Sequence, residues 1–308
     1  MLARRSFLRT SAGTAALSTL GGLGFLSRLP SVSAADTVLE PRMVRFSPDI
    51  EPIVRLLEDT PRERVIEEMA HRVRHGLSYR DLLAALLLAG VRDIQPRPVG
   101  FKFHAVLVIN SAHLASLASP DSDRWLPIFW AINQFKVSQA ANVREGDWRM
   151  APVDEAAVPP AHRAKQAFME AMDRWDEAGA DAAIVGFARS ATAQELFETF
   201  ARYGVRDFRD IGHKAIYVAN SFRTLEVIGW QHAEPVLRSL AYALLEREGV
   251  ANPAQADLPA DRPFRANLEK MAQLKEGWQA GAASPEGAND LLQAVREGSA
   301  DDLSLIHI

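Results

Sequence analysis

Histidine is the scarce side chain with the most chemistry to offer here, with eight copies in 308 residues. His71 and His75 are four apart, a spacing that puts two imidazoles on one helical face where they can chelate a single metal ion. The plainer alternative is a solvated face shared with Arg72 and Arg74. His104 and His213 each follow a glycine-containing loop and open an apolar stretch, Phe103-His104-Ala105-Val106-Leu107 and His213-Lys214-Ala215-Ile216-Tyr217. His232 falls in Gly229-Trp230-Gln231-His232-Ala233-Glu234-Pro235, where a further helix begins. His113 is nine residues after His104, about half a turn round a helix, so both cannot face one site. The candidate metal ligands are therefore His71, His75, His104, His213 and His232. Neutral imidazoles suit iron, zinc or copper.

Lysine is also scarce, with six copies, and Lys102 and Lys214 flank the matched histidines. Lys214 is the candidate catalytic residue, as a carboxylated oxygen ligand or a desolvated base. Chance and snorkelling at a helix start are the alternative. Trp130, Tyr217 and Trp230 lie near the histidine stretches and can serve as core or as walls for a flat substrate. No GxGxxG, GxxxxGK[ST], HExxH or GxSxG motif is present.

The elements that must position these residues come in two copies. Leu82-Leu83, Gly90-Val91-Arg92-Asp93, His104 and Asn110-Ser111 are matched by Leu196-Phe197, Gly204-Val205-Arg206-Asp207, His213 and Asn220-Ser221. Duplication predicts pseudo-twofold packing that brings His104 and His213 together. Helix signals dominate: Thr60 with Glu63, Ser78 with Asp81 and Thr192 with Glu195 have capping-box spacing, and Ser119-Pro120 and Ser284-Pro285 mark further starts. No stretch alternates with period two between hairpin turns. The expected fold is all-α, duplicated helical units packed as a pseudo-symmetric array, each with a turn at the Gly-Val-Arg-Asp tetrad whose arginine, Arg92 or Arg206, bonds a helix end or a local carboxylate.

The two ends read differently. Arg4-Arg5-Ser6-Phe7-Leu8-Arg9, a short apolar run and Val32-Ser33-Ala34-Ala35 have the pattern of a cleavable twin-arginine signal peptide over residues 1–35. That predicts export by the twin-arginine machinery to the periplasm or outside, with no stable membrane span after cleavage. Removing four arginines and no acid takes the formal charge from −4 to −8, which disfavours nucleic acid as a partner. Cysteine is absent, so disulfides and thiolate ligands are excluded. Leu303-Ser304-Leu305-Ile306-His307-Ile308 matches the translation of a common transposon sequencing adapter, so 303–308 is expected to be an artefact. The expected organisation is a first helical unit at 36–145, a linker at 146–163, a second unit at 164–250, and C-terminal helices at 251–302 that begin a truncated third unit.

Phe103-His104 opening an apolar helix, His213, His232, Lys214 and one of His71 or His75 resemble the histidine-bearing helical repeats of the questin oxidase family, across roughly residues 60–246. The resemblance implies an all-α fold, a non-haem iron held by several histidines and a carboxylated lysine, and oxidative opening of aromatic polyketide rings. Asn220 stands seven after His213, where a second histidine was expected. Together these features lead to an exported, histidine-ligated metalloprotein, a non-haem iron oxygenase acting on an aromatic or polyketide-like small molecule. The alternative is a non-catalytic helical-repeat protein that binds a partner or small ligand.

Overall fold

The computed structural model describes Val44 and residues 46–299 apart from 248, 272, 275, 276, 278 and 279. These residues all belong to one unit that starts at Arg42. The expected signal peptide at 1–35 and the adapter-like end at 303–308 lie outside the described residues.

Among the described residues every regular element is helical, so the fold is all-α. The helices are α1 (Glu51–Asp59), α2 (Arg62–Arg74), α3 (Tyr79–Asp93), α4 (His104–Leu107), α5 (Ile109–Ala118), α6 (Leu126–Arg144), α7 (Ala161–Arg174), α8 (Glu177–Ala188), α9 (Ala193–Gly204), α10 (His213–Ile228), α11 (Ala233–Leu244), α12 (Arg262–Met271) and α13 (Pro285–Glu297). Short 3-10 turns precede α4, α10, α11 and α12. No single described helix is long and apolar enough to cross a membrane; the bent pair 101–107 and 109–118 passes on length and composition alone.

The core is organised round α3. Its stretch from Leu82 to Asp93 is buried without a break. A helix that is apolar on all sides must be covered on all sides, and α1, α6, α10 and α11 supply that cover. In the second half α8 packs on α7 and α11, and α9 packs on α10. Helices α12 and α13 bury no residue.

Three of the helix starts follow the expected capping chemistry. The Ser78 hydroxyl accepts from the Asp81 backbone N–H, Thr192 with Glu195 forms a full capping box, and the Ser284 hydroxyl accepts from the Gly287 backbone N–H. Two others differ. Thr60 ends α1, and Pro61 opens α2 with no side-chain cap bond. Ser119 turns its hydroxyl back to the Ala115 carbonyl, one turn upstream, and the next helix starts only at Leu126.

The Gly-Val-Arg-Asp tetrads also differ from simple turns. Gly90 to Asp93 form the last turn of α3, whereas in the second copy only Gly204 is helical. Their glycines allow close helix approach: a Cβ on Gly90 would lie 2.7 Å from Val106 Cγ2, and one on Gly204 would lie 2.7 Å from Val218 Cγ2. Their arginines are buried clamps. Arg92 Nε and Nη2 donate to the two Glu58 oxygens at 2.8 and 2.7 Å, and Nη1 donates to Glu51 at 2.8 Å. Arg206 donates instead to helix ends, to the Met172 carbonyl at 2.7 Å and the Leu244 carbonyl at 3.2 Å, and lies over the Trp175 ring. Burial without a carboxylate of its own pushes the Arg206 guanidinium down to about 10, though Asp207 opposes this.

Removing one partner of a buried ion pair leaves the other charge stranded. Arg92→Ala is therefore expected to cost about 3–5 kcal/mol in urea unfolding. Arg72→Ala, which breaks an exposed pair with Glu68, is expected to cost about 0.5 kcal/mol or less. Equal costs would show that the Arg92 clamp carries no special weight. Gly204→Ala should lose about 1–3 kcal/mol by overpacking against Val218.

Candidate functional site

The site is built by the two loops that follow the arginine clamps, residues 94–103 and 205–212. Each loop contains backbone in the left-handed region that L side chains rarely adopt: Phe101 at φ 48°, Asp210 at φ 55° and Ile211 at φ 48°. For β-branched Ile211 this conformation is strained, and such strain persists only where surrounding structure enforces it. It aims two carbonyl groups. Phe101 O lies 2.9 Å from His104 Nδ1, and Asp210 O lies 2.5 Å from His213 Nδ1. In both copies the accepting carbonyl is three residues before the histidine.

A carbonyl only accepts, so each Nδ1 carries the hydrogen and each Nε2 is left with a lone pair. The two Nε2 atoms face one another at 3.0 Å, with the rings edge to face. Two lone pairs at that separation repel. The arrangement is satisfied when a cation lies between them, either a shared proton or a metal ion.

The two loops are also tied to each other. The Val99 backbone N–H donates to Asp210 Oδ2 at 3.3 Å. Burial raises the Asp210 carboxyl above its ordinary value, and the Val99 N–H opposes that shift. Gly100 lies against both rings: a Cβ there would lie 3.8 Å from His104 and 3.9 Å from His213. Behind the pair, Asn220 Nδ2 donates to the Leu107 carbonyl at 2.9 Å, where the chain bends between α4 and α5. A side chain inserted in the backbone ladder is a sufficient cause for such a kink. Asn110 Nδ2 in turn reaches Asn220 Oδ1 at 3.3 Å. Two pairs matched in the sequence, His104 with His213 and Asn110 with Asn220, are thus in direct contact.

His104 opens onto a groove of about 410 Å³ walled by Phe101, Val108, Trp130 and Val137, with the Lys102–Glu145 ion pair in its lining. That volume lies in the range of small-molecule sites. Around the pair stand unusually exposed apolar side chains, Phe101 at 80%, Phe208 at 76% and Ile211 at 77%.

The remaining expected site residues lie elsewhere. His71 and His75 are exposed on and just after α2, with ring centroids 4.1 Å apart. His232 is buried beside Gln231. Lys214 is fully buried, with Nζ bonded to both Asp207 oxygens at 3.0 Å and to the Glu246 carbonyl at 2.8 Å. Burial lowers its pKa, Asp207 opposes this, and Arg206 and Arg209 add to the lowering. It serves as a clamp on the end of α11 and does not face the groove. Tyr217 is buried with its hydroxyl on Ser239, and Trp230 packs on Phe222. Of the three expected substrate-binding aromatics, Trp130 alone lines the groove. Among the described residues, no group of three or more His, Asp or Glu assembles as a metal site. The expected five-histidine cluster is thus replaced by one facing pair and one separate helical pair.

Phe101 and Asp210 were not singled out by sequence. Their role is carried by main-chain carbonyls, which any residue possesses, and by a backbone conformation that no side chain announces. Comparison with protein-family models, curated proteins and solved structures returns no match for the chain.

In Asp210→Ala the carbonyl stays but the tie to Val99 is lost. The nuclear Overhauser contact between the two imidazoles is expected to weaken while helix content by circular dichroism is kept. An undiminished contact would assign the loop geometry to other forces. His232 gives a pH prediction. Burial holds its imidazole below the ordinary value, with Asp49 opposing, whereas in the unfolded chain it takes up a proton near about 6.5. Between those two values the unfolded chain binds more protons, so stability falls as pH drops through about 6.5 and levels off below the folded value. His232→Gln should flatten that part of the curve of urea midpoint against pH. An unchanged curve would place the acid sensitivity elsewhere.

Proposed function

We propose that His104 and His213 hold a transition-metal cation, iron in first place with zinc or copper as alternatives, and that the chain is a non-haem metal oxygenase acting on a small organic molecule in the adjoining groove. The observation that supports this most is the facing pair of Nε2 lone pairs with both Nδ1–H groups fixed by carbonyls. Metal-bound histidines usually donate the other ring N–H to a carbonyl or carboxylate in this way. A separation of 3.0 Å suits two neighbouring positions on one cation with metal–nitrogen bonds of about 2.1 Å. When bound, the cation supplies Lewis acidity and redox chemistry.

The chain's own residues do the rest. The Phe101 and Asp210 carbonyls orient the ligands. Trp130 and Val137 receive the apolar body of the substrate, and Lys102 with Glu145 offers polar contacts beside it. The matching Nδ1–carbonyl bonds and the Asn110–Asn220 contact favour descent of the two halves from one duplicated helical unit. The twin-arginine pattern at the N-terminus favours export of the folded protein to the periplasm, with a cation loaded beforehand.

A second reading has its own observation. The absence of a third ligand among the described residues and the exposed Phe101, Phe208 and Ile211 favour a helical-repeat protein that binds a partner or small ligand, with the histidine pair sharing a proton. Metal analysis separates the two. Protein made without a histidine tag, and carrying His71→Gln and His75→Gln so that the exposed histidine pair at the end of α2 takes no ion, is expected to hold about one equivalent of iron, zinc or copper, and His213→Gln to lose about tenfold or more in affinity with helix content unchanged. That protein without stoichiometric metal, or its His213→Gln variant keeping it, would replace the oxygenase reading with the binding-protein reading.

A further inference from the structure

A second pair of imidazoles stands at the end of α2, on a different element from the first. We infer that His71 and His75 form an independent, exposed chelate for a divalent transition cation of the zinc, copper or nickel class. Histidines at i and i+4 share one helical face and are a known geometry for binding one such ion. Here the two rings lie 4.1 Å apart between centroids, tilted by 35°. His75 Nδ1 lies 2.8 Å from the His71 carbonyl. It therefore donates, and His75 Nε2 is left as an acceptor. This is the same device that fixes His104 and His213.

The electrostatic setting is favourable at close range. The thirteen-residue helix α2 places its negative end at this pair. Arg72, next to His71 in the sequence, is taken up by Glu68 at 2.8 Å. Glu67 is exposed one turn before His71 on the same face. Arg64 and Arg74 line the depression beside His71 and temper the attraction. A second depression, walled by Ile53, Leu56 and Leu77, flanks His75. Both side chains are exposed, so water fills the other coordination positions and the ion exchanges readily. The site is thus distinct in kind from a resident, oriented cofactor.

The test uses zinc chloride and the full chain carrying His104→Gln and His213→Gln, so that the first pair is gone. Calorimetry and imidazole nitrogen NMR are expected to show saturable binding, with the His71 and His75 resonances moving together. Adding His75→Gln should weaken binding by about tenfold or more, and His71→Gln likewise. If the double variant fails to fold, the same comparison is made in the otherwise wild-type chain by counting zinc equivalents, where His71→Gln and His75→Gln should each remove one. Zinc binding that is unchanged by either substitution, or resonances that do not move, would overturn the inference. Because the first pair is absent from the main test, its result stands whether or not His104 and His213 hold a metal.

Discussion

Two buried guanidinium groups hold the helices at the points where the site loops begin. Arg92 draws Glu58 and Glu51 of α1 against the end of α3. Arg206 draws the last turns of α7 and α11 against the end of α9. The two clamps solve one problem with different chemistry. The first pairs charge with charge, and desolvating both ions is repaid only by close, multiple hydrogen bonds. The second uses helix-end carbonyls and an aromatic face, leaving Asp207 free to take Lys214 and Arg209. In the second case helix C-termini, rich in unsatisfied carbonyls, are anchored by a cation. Lys136 does the same for the end of α1, donating to the Leu57 and Glu58 carbonyls.

Firm ends are what allow the following loops to be strained. Phe101, Asp210 and Ile211 sit in the left-handed region, each at a cost of about 1–3 kcal/mol. That cost is tolerable because α3 and α9 are fixed before the loop and α4 and α10 after it. The gain is orientation. Phe101 and Asp210 each point a carbonyl at a histidine ring, which fixes the tautomer and turns Nε2 inward. The Val99–Asp210 bond then holds one loop against the other. Buried lysine and buried arginine, which read as chemistry in a sequence, here serve to make the backbone stiff enough for two imidazoles to face each other.

Much of the fold was legible. The all-α class followed from helix-period spacing, and the caps at Ser78 and Thr192 from residues that satisfy orphan backbone N–H groups. The juxtaposition of His104 and His213 was anticipated from their matched positions. The Gly-Val-Arg-Asp tetrad was read as a turn whose arginine bonds a helix end or a local carboxylate, and both arginines do so; the close approach of its glycine to valine was not read. Lys214 was read as catalytic because lysine is rare here, and rarity does not distinguish a buried clamp from a base. His71 and His75 had the spacing of ligands, but spacing along one helix says nothing about which other helix lies opposite. His232 was drawn towards the site by its place at a helix start and Tyr217 by nearness to His213, and the core claimed both instead. Asp210 was invisible because its contribution combines a main-chain carbonyl with a bond across to Val99.

The central claim is that a metal ion, rather than a proton, satisfies the two facing imidazoles. Anomalous diffraction from crystals of protein loaded with iron(II) or zinc(II) tests it most directly. The account predicts a strong peak at bonding distance, about 2.1 Å, from both His104 Nε2 and His213 Nε2, apart from any ion held by His71 and His75, with the Phe101 and Asp210 carbonyls still on the two Nδ1 atoms. An empty position between the rings at full loading, with the Nε2 atoms remaining 3.0 Å apart, would show a proton-bridged pair and contradict it.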